Sequence, residues 1–211
     1  MQQVPVTNPT GKNNMLASLV GYLSQYLPKN VPSGNYDGKF VPYTINLEQY
    51  EEAASYPSIS VEDIGMPGLG AYAFDNYTGK YIDGNGDTQP FYGRLAQTMV
   101  EFNMQADAGA VGTNIARQAV YQMYDQIDYL LRSTGEMDHT GANILPVISM
   151  INYDTNPATT VLGSSVWCPT EKDSIMFPAY IGTDPERPGI KRLSLRVRIY
   201  WLLQELPSVT V

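Results

Sequence analysis

The segment from residue 192 to residue 203 reads RLSLRVRIYWLL and alternates polar with apolar side chains. Because successive side chains of a β-strand point to opposite faces, this alternation predicts one long strand. Its apolar face carries Leu193, Leu195, Val197, Ile199, Trp201 and Leu203. A strand with one apolar face covers a hydrophobic core, and its opposite face is available to a partner.

The opposite face of this strand is the candidate interaction surface. It carries Arg192, Arg196, Arg198 and Tyr200. Arginine and tyrosine are enriched at protein interfaces, so these residues are candidates for recognising an acidic or carbonyl-rich partner. A solvated sheet face without a partner explains the same pattern equally well, and composition alone does not separate the two interpretations.

Other segments predict further strands and two or three helices. Apolar residues at three- and four-residue spacing predict a long helix over residues 113–132 and an N-terminal helix over residues 14–27. A short helix is expected from Asn46, which could act as its N-cap, to the residue before Pro57. Strands are expected at residues 58–64, 95–104, 144–153, 159–167 and 174–182.

The order of these elements predicts an α+β fold. The strands flank one long helix without repeated β–α alternation, which favours a mixed or mostly antiparallel sheet packed against that helix. Residues 1–13 are expected to form a mobile N-terminal arm, and residues 14–211 a single domain. Extended loops are expected at residues 65–93 and 135–189, with a hairpin around residues 83–87.

Charge and cysteine content restrict the functional classes. The chain has 13 Lys and Arg against 21 Asp and Glu, a net charge of −8, which disfavours nucleic acid as a direct ligand. The single cysteine, Cys168, cannot form an internal disulfide. The N-terminal region is expected to be neither a signal peptide nor a membrane span, because its apolar segment is short, amphipathic and interrupted by polar residues.

No catalytic, cofactor-binding or metal-ligating residue is predicted. The acidic loop from Asp83 to Asp87 resembles the start of a calcium loop, but it lacks the later glycine and glutamate, so a polar hairpin is the better interpretation. The glycines at 68 and 70 match part of a dinucleotide fingerprint, but no helix start follows them. His139 and Cys168 are the only residues of their kinds, which is insufficient for a nucleophilic dyad or a structural zinc site.

The order of elements resembles that of the tail terminator, or tail-completion, proteins of long-tailed bacteriophages. The resemblance covers residues 14–204, from the N-terminal helix that begins MLASLV, through the strand YPSISV and the long helix containing QAVYQMYDQI, to the strand ending RIYW. It rests on element order and pattern rather than on a signature motif. Head-completion and other neck proteins have similar elements and the same size.

The resemblance implies a structural, non-enzymatic protein of the virion that is assembled in the host cytoplasm. It implies a homo-oligomeric ring, a hexamer in one arrangement, that closes the tail tube and joins it to the head connector. The implied partners are the tail tube protein and the connector or neck proteins. DNA would only pass through the lumen, and no membrane is involved. The alternatives are a head-completion, neck or other virion assembly protein, a soluble ligand-binding module, and a hydrolase or lyase with a carboxylate pair.

Overall fold

The computed structural model of the 211-residue chain describes residues 11–32, 40–47, 55–65, 76–82, 86–153, 156–167, 178–183 and 187–204. The helices are α1 (Lys12–Tyr26), α2 (Ala108–Val111) and α3 (Thr113–Ser133). The strands are β1 (Asn30–Pro32), β2 (Phe40–Pro42), β3 (Thr44–Leu47), β4 (Ser58–Asp63), β5 (Asn76–Ile82), β6 (Thr88–Asp107), β7 (Ile148–Asn152), β8 (Thr159–Trp167), β9 (Pro178–Thr183) and β10 (Ile190–Gln204).

The expected α+β class is confirmed. Eight strands form one sheet in the order β3-β4-β6-β10-β8-β7, with β5 paired to β6 and β9 paired to β10. Only β3 and β4 pair in parallel, and the other pairs of this sheet are antiparallel. The two longest strands, β6 and β10, are neighbours along the whole length of β10.

The core lies on the face of the sheet that β10 was predicted to bury. Leu193, Leu195, Val197 and Ile199 are at most 1% exposed, and they pack with Met123 and Ile127 of α3. Val100, Phe102 and Met104 of β6 belong to the same cluster. The helix α3 was expected over residues 113–132, and its apolar stripe covers the sheet as predicted.

Helix α1 contacts strands from both ends of the sheet. It packs along β7 and also against β3 and β4, so the sheet is curled around it. Lys12, in its first turn, lies 2.6 Å from a carboxylate oxygen of Asp63 at the end of β4. Burial acts to raise the pKa of Asp63, but hydrogen bonds from Lys12, Thr98 and Gly65 outweigh it and hold that pKa below its usual value.

Two expected boundaries are wrong in this region. The N-terminal arm was expected to extend to residue 13, but α1 already includes Lys12 because the carbonyl of Gly11 accepts the first helical hydrogen bond from Met15, at 3.0 Å. The expected start of the short helix at Asn46 is also wrong, since Asn46 lies in β3 and pairs with Ser60. Residues 48–54 of that expected helix lie outside the described residues.

The segment expected as a long loop at residues 65–93 contains regular structure. Asn76–Ile82 and the start of β6 form an antiparallel hairpin, from the pair Ile82↔Thr88 to the pair Asn76↔Gly93. The hairpin around residues 83–87 is therefore confirmed by its flanking strands, and β6 is longer than the expected 95–104 because it includes one arm of that hairpin. The segment 135–189 similarly contains β7, β8 and β9.

Candidate interaction surface

The four predicted interface residues share the face of β10 that is opposite the core. We call this surface the arginine face and define it as Arg192, Arg196, Arg198 and Tyr200. The side chain of Arg196 is 53% exposed, whereas that of Arg192 is only 24% exposed. Arg198 and Tyr200 are half-buried. The face therefore presents one open arginine and three partly covered side chains.

Two of the arginines are held by a buried carboxylate. Glu101 of β6 stands opposite Arg196 in the antiparallel register, and its side chain is 8% exposed. Arg196 Nε donates to Glu101 Oε2 at 2.7 Å, and Arg192 Nη2 lies 3.6 Å from Glu101 Oε1. A buried carboxylate needs such partners because desolvation of an isolated charge is costly. Arg192 and Arg196 therefore stabilise the sheet as well as forming its surface.

Asn103 forms the centre of a second group of polar contacts. Its Oδ1 accepts hydrogen bonds from Arg192 Nε at 3.1 Å, from Arg192 Nη2 at 2.7 Å and from Ser194 Oγ. Asn103 is fully buried and Ser194 is 4% exposed. These contacts fix the guanidinium of Arg192, so this arginine is not free to follow a partner.

Arg198 differs from the other two arginines. Its Nε is buried and has no hydrogen-bond partner, and no carboxylate among the described residues forms an ion pair with it. Its cross-strand neighbour is Met99, which offers no charge. A buried donor without a partner costs about 1–3 kcal/mol. Of the three arginines, Arg198 has the greatest unused capacity to bind an acceptor.

Two other buried polar atoms on this side of the sheet also have no partner. They are Nδ2 of Asn103 and Oγ of Ser60, which face each other across the β4–β6 pair. A donor and an acceptor at neighbouring register positions can be joined by one water molecule. We therefore assign these two atoms to the internal polar contacts of the sheet rather than to a ligand site.

Sequence reasoning did not identify Glu101 and Asn103 as part of this surface. The available signal was the alternation of Glu101, Asn103 and Gln105 within the predicted strand at residues 95–104. Opposite charges and hydrogen-bonding side chains directly across an antiparallel pair are favourable. The pairing of β6 with β10 was not predicted, so the arginines were expected to be free.

A second exposed surface lies between α1 and β7. We call it the tyrosine groove; it is a cleft of about 350 Å³ whose described lining residues include Gly21, Tyr26, Val147 and Tyr153, and none of the described ones is charged. Tyr26, Val147 and Tyr153 are 36%, 52% and 44% exposed. A Cβ on Gly21 would lie 3.0 Å from the hydroxyl of Tyr153, so a larger residue here would displace the exposed Tyr153 side chain.

Tyr22 lines the groove and connects α1 to the segments on either side of the hairpin after α3 through hydrogen bonds. Its hydroxyl donates to the carbonyl of Pro146 at 2.8 Å and lies 3.1 Å from Thr134 Oγ1. Burial raises the pKa of Tyr22 further above its usual value, which already keeps the hydroxyl protonated and able to donate at neutral pH. Large amphipathic side chains around a preformed cleft are typical of binding hot spots.

The remaining sequence motifs provide no site in the part of the chain that the structure describes. His139 is exposed in the hairpin after α3, and Cys168 lies outside the described residues. Asp83 and the glycines at 68 and 70 also lie outside them, whereas Asp87 is exposed beside the β5–β6 hairpin. Within the described ranges, no group of three or more His, Cys, Asp or Glu side chains is arranged to hold a metal ion.

Comparison with known proteins gave no assignment: no protein-family model and no curated protein matches the chain. No helix among the described residues is long and apolar enough to cross a membrane.

Proposed function

We propose that this chain is a structural, non-enzymatic virion protein that closes the tail tube of a long-tailed bacteriophage as a ring and joins it to the head connector. The proposal rests on the resemblance in element order and on the surfaces described above. A protein in this position binds copies of itself, the tube below and the connector above. It therefore needs several separate surfaces of different chemistry.

The observation that carries the proposal is the presence of two such surfaces on one small domain. The arginine face is cationic and lies on the outer side of β10, whereas the tyrosine groove lies at the β7 end of the sheet and its described lining residues are uncharged. Interface cores are enriched in tyrosine and arginine and depleted in lysine and glutamate. Surfaces that differ in charge and in position are suited to different partners.

The net charge agrees with passage of DNA rather than with binding of DNA. Each copy carries a net charge of −8, so a ring of copies would be strongly acidic. An acidic lumen repels phosphate groups and allows DNA to pass without being retained.

Electron microscopy of the purified chain mixed with tail tubes of the same virus tests this function. We expect ring-shaped density at one end of each tube and no further elongation of capped tubes. A Val147→Asp variant places a charge at the rim of the tyrosine groove, and Ile144→Asp is a matched control, because it makes the same kind of change at an exposed apolar residue outside the groove lining. If the groove binds the tube or the connector, Val147→Asp should lose one of these two contacts while the control keeps both.

Two outcomes would contradict the proposal in different ways. Tubes that elongate normally and carry no added density would exclude a tail-closing role. Binding to isolated connectors without binding to tubes would instead support the head-completion alternative.

A further inference from the structure

We propose that ring neighbours contact each other through the arginine face of one copy and the outer side of α3 in a second copy, with Arg198 paired to Asp125. This inference deepens the proposed function, because it names the contact between neighbouring copies. It depends on the chemistry of two surfaces that the chain itself carries.

The outer side of α3 presents one carboxylate between two exposed aromatic rings. We call this surface the α3 stripe and define it as Tyr121, Asp125 and Tyr129. Residues four apart lie above one another on a helix, so the three side chains form a row. Tyr121 is 41% exposed and Tyr129 is 64% exposed, and Asp125 is exposed between them.

Asp125 has no cationic partner among the described residues. The ion pair of α3 joins Asp128 to Arg132, with 2.9 Å between Asp128 Oδ2 and Arg132 Nε, and it does not involve Asp125. Asp125 is thus an exposed acceptor without a cation, whereas the Nε of Arg198 is a buried donor without an acceptor. A guanidinium and a carboxylate can form two parallel hydrogen bonds, and in the proposed contact the half-buried Arg198 makes this pair with Asp125 of the second copy.

The two surfaces lie on opposite sides of the same layer of structure. The buried side of α3 packs on the core face of β6 and β10, so the α3 stripe points away from the sheet. The arginine face is on the other side of β10. A contact that joins two different surfaces of identical molecules is head-to-tail. Repeated head-to-tail contacts form a ring when the rotation from each copy to the next brings the last copy back to the first.

Charge explains why such a contact can form between acidic copies. Two molecules with a net charge of −8 repel each other unless opposite charges meet locally. Among the described residues of this face, the three arginines still outnumber the carboxylates of Glu101 and of Glu62, its register partner on β4. The α3 stripe offers a carboxylate without a competing cation, and its tyrosines can pack against Tyr200 and the stems of the arginines.

Charge exchange tests the contact directly, with analytical ultracentrifugation of the purified full chain and without tail tubes. We expect Arg198→Asp and Asp125→Arg each to lower the association constant by at least about tenfold, because each places like charges face to face. The double variant Arg198→Asp plus Asp125→Arg should restore association. An equimolar mixture of the two single variants should also restore association. In a ring that alternates the two variants, the new Asp at position 198 meets the new Arg at position 125, and the original Arg198 meets the original Asp125.

Glu136→Arg is the matched control, because it makes the same change of charge at an exposed carboxylate beyond the end of α3. It should associate like the unaltered chain. Circular dichroism of each variant checks folding, and Arg198→Gln with Asp125→Asn replaces any reversal that fails to fold.

Several results would overturn the contact. They are a wild-type chain that stays monomeric at every concentration, single variants that associate normally, and a double variant that fails to recover. If the proposed contact between copies is wrong, the proposed tail-closing function is not contradicted. A ring held together by other contacts would still be seen at the ends of the tubes. If the charge-exchange variants behave as expected but the chain does not bind tail tubes, the proposed function is overturned and the proposed contact between copies is supported.

Discussion

At the residue scale, two side chains of α1 protect the backbone of β7, the last strand in the order of the described sheet. Asn14 Oδ1 accepts a hydrogen bond from the N–H of Tyr153 at 3.2 Å, and Ser18 Oγ accepts one from the N–H of Ile151 at 2.8 Å. Ser18 Oγ also donates to the carbonyl of Asn14 at 2.6 Å. An edge whose N–H groups are satisfied by side chains is a poor template for adding another strand. This edge is therefore unsuited to a contact between copies that adds a strand to the sheet.

This arrangement predicts the effect of Ser18→Ala. Ser18 is 2% exposed, and its removal leaves the N–H of Ile151 without its acceptor. The expected cost is about 1–3 kcal/mol, reduced slightly because alanine has the higher helix propensity. Urea denaturation of the variant and the unaltered chain measures this difference in the free energy of unfolding.

Ser149→Ala is the control for this prediction, since Ser149 lies in β7 but is exposed. It should change the free energy of unfolding by no more than about 0.5 kcal/mol. Equal effects of the two substitutions would show that the Ser18 hydroxyl does not stabilise the edge.

At the residue scale, the candidate interaction surface was only partly predictable from the sequence. Alternation in β10 correctly placed Arg192, Arg196 and Arg198 on one face, because the period of a strand is a local property. The restraint of Arg192 and Arg196 depends on Glu101 and Asn103, which are about 90 residues earlier in the chain. Cross-strand neighbours depend on the register of pairing, and no local pattern specified that register.

At the element scale, the long helix was predicted almost to the residue, whereas the expected start of the short helix was wrong. The apolar stripe of α3 repeats over five turns, so the helix prediction depends on many residues and not on any single one. The segment at Asn46 offered only a possible cap. It instead forms β3, because its β-branched residues Thr44 and Ile45 pair in parallel with Ser58 and Ile59 of β4. A tertiary pairing therefore overrode a weak local signal.

The buried stripe of α3 predicts a large effect of Ile127→Asp. Ile127 is fully buried in the hydrophobic cluster that joins α3 to β6 and β10. Burying that charge should cost at least about 3 kcal/mol and abolish soluble folding. Gln118→Asp, at an exposed residue of the same helix, should keep the thermal midpoint close to that of the unaltered chain. A folded Ile127→Asp variant would show that the buried face of α3 is wrongly assigned.

At the scale of the whole molecule, the stability of the fold is concentrated in its centre. Strands β6 and β10 pair over fifteen consecutive residues, and each of them also pairs with other strands along its second edge. The core cluster covers one face of this pair, and the contacts of Glu101 and Asn103 join its other face. The small β1–β2 sheet, by contrast, contains three residue pairs.

Native-state amide hydrogen exchange should reproduce this order. We expect the slowest exchange at Phe102, Leu195 and Val197, because opening these amides requires separation of the central pair and exposure of the core. Val31 and Val41, in the small sheet, should exchange faster, since opening it leaves the β6–β10 pair intact. Exchange at Ile151 should lie between these limits in the unaltered chain and accelerate in Ser18→Ala, whereas Phe102 should keep its place as one of the slowest sites. Fast exchange along β6 and β10, or protection of Val31 equal to that of Phe102, would contradict a fold organised around the central strand pair.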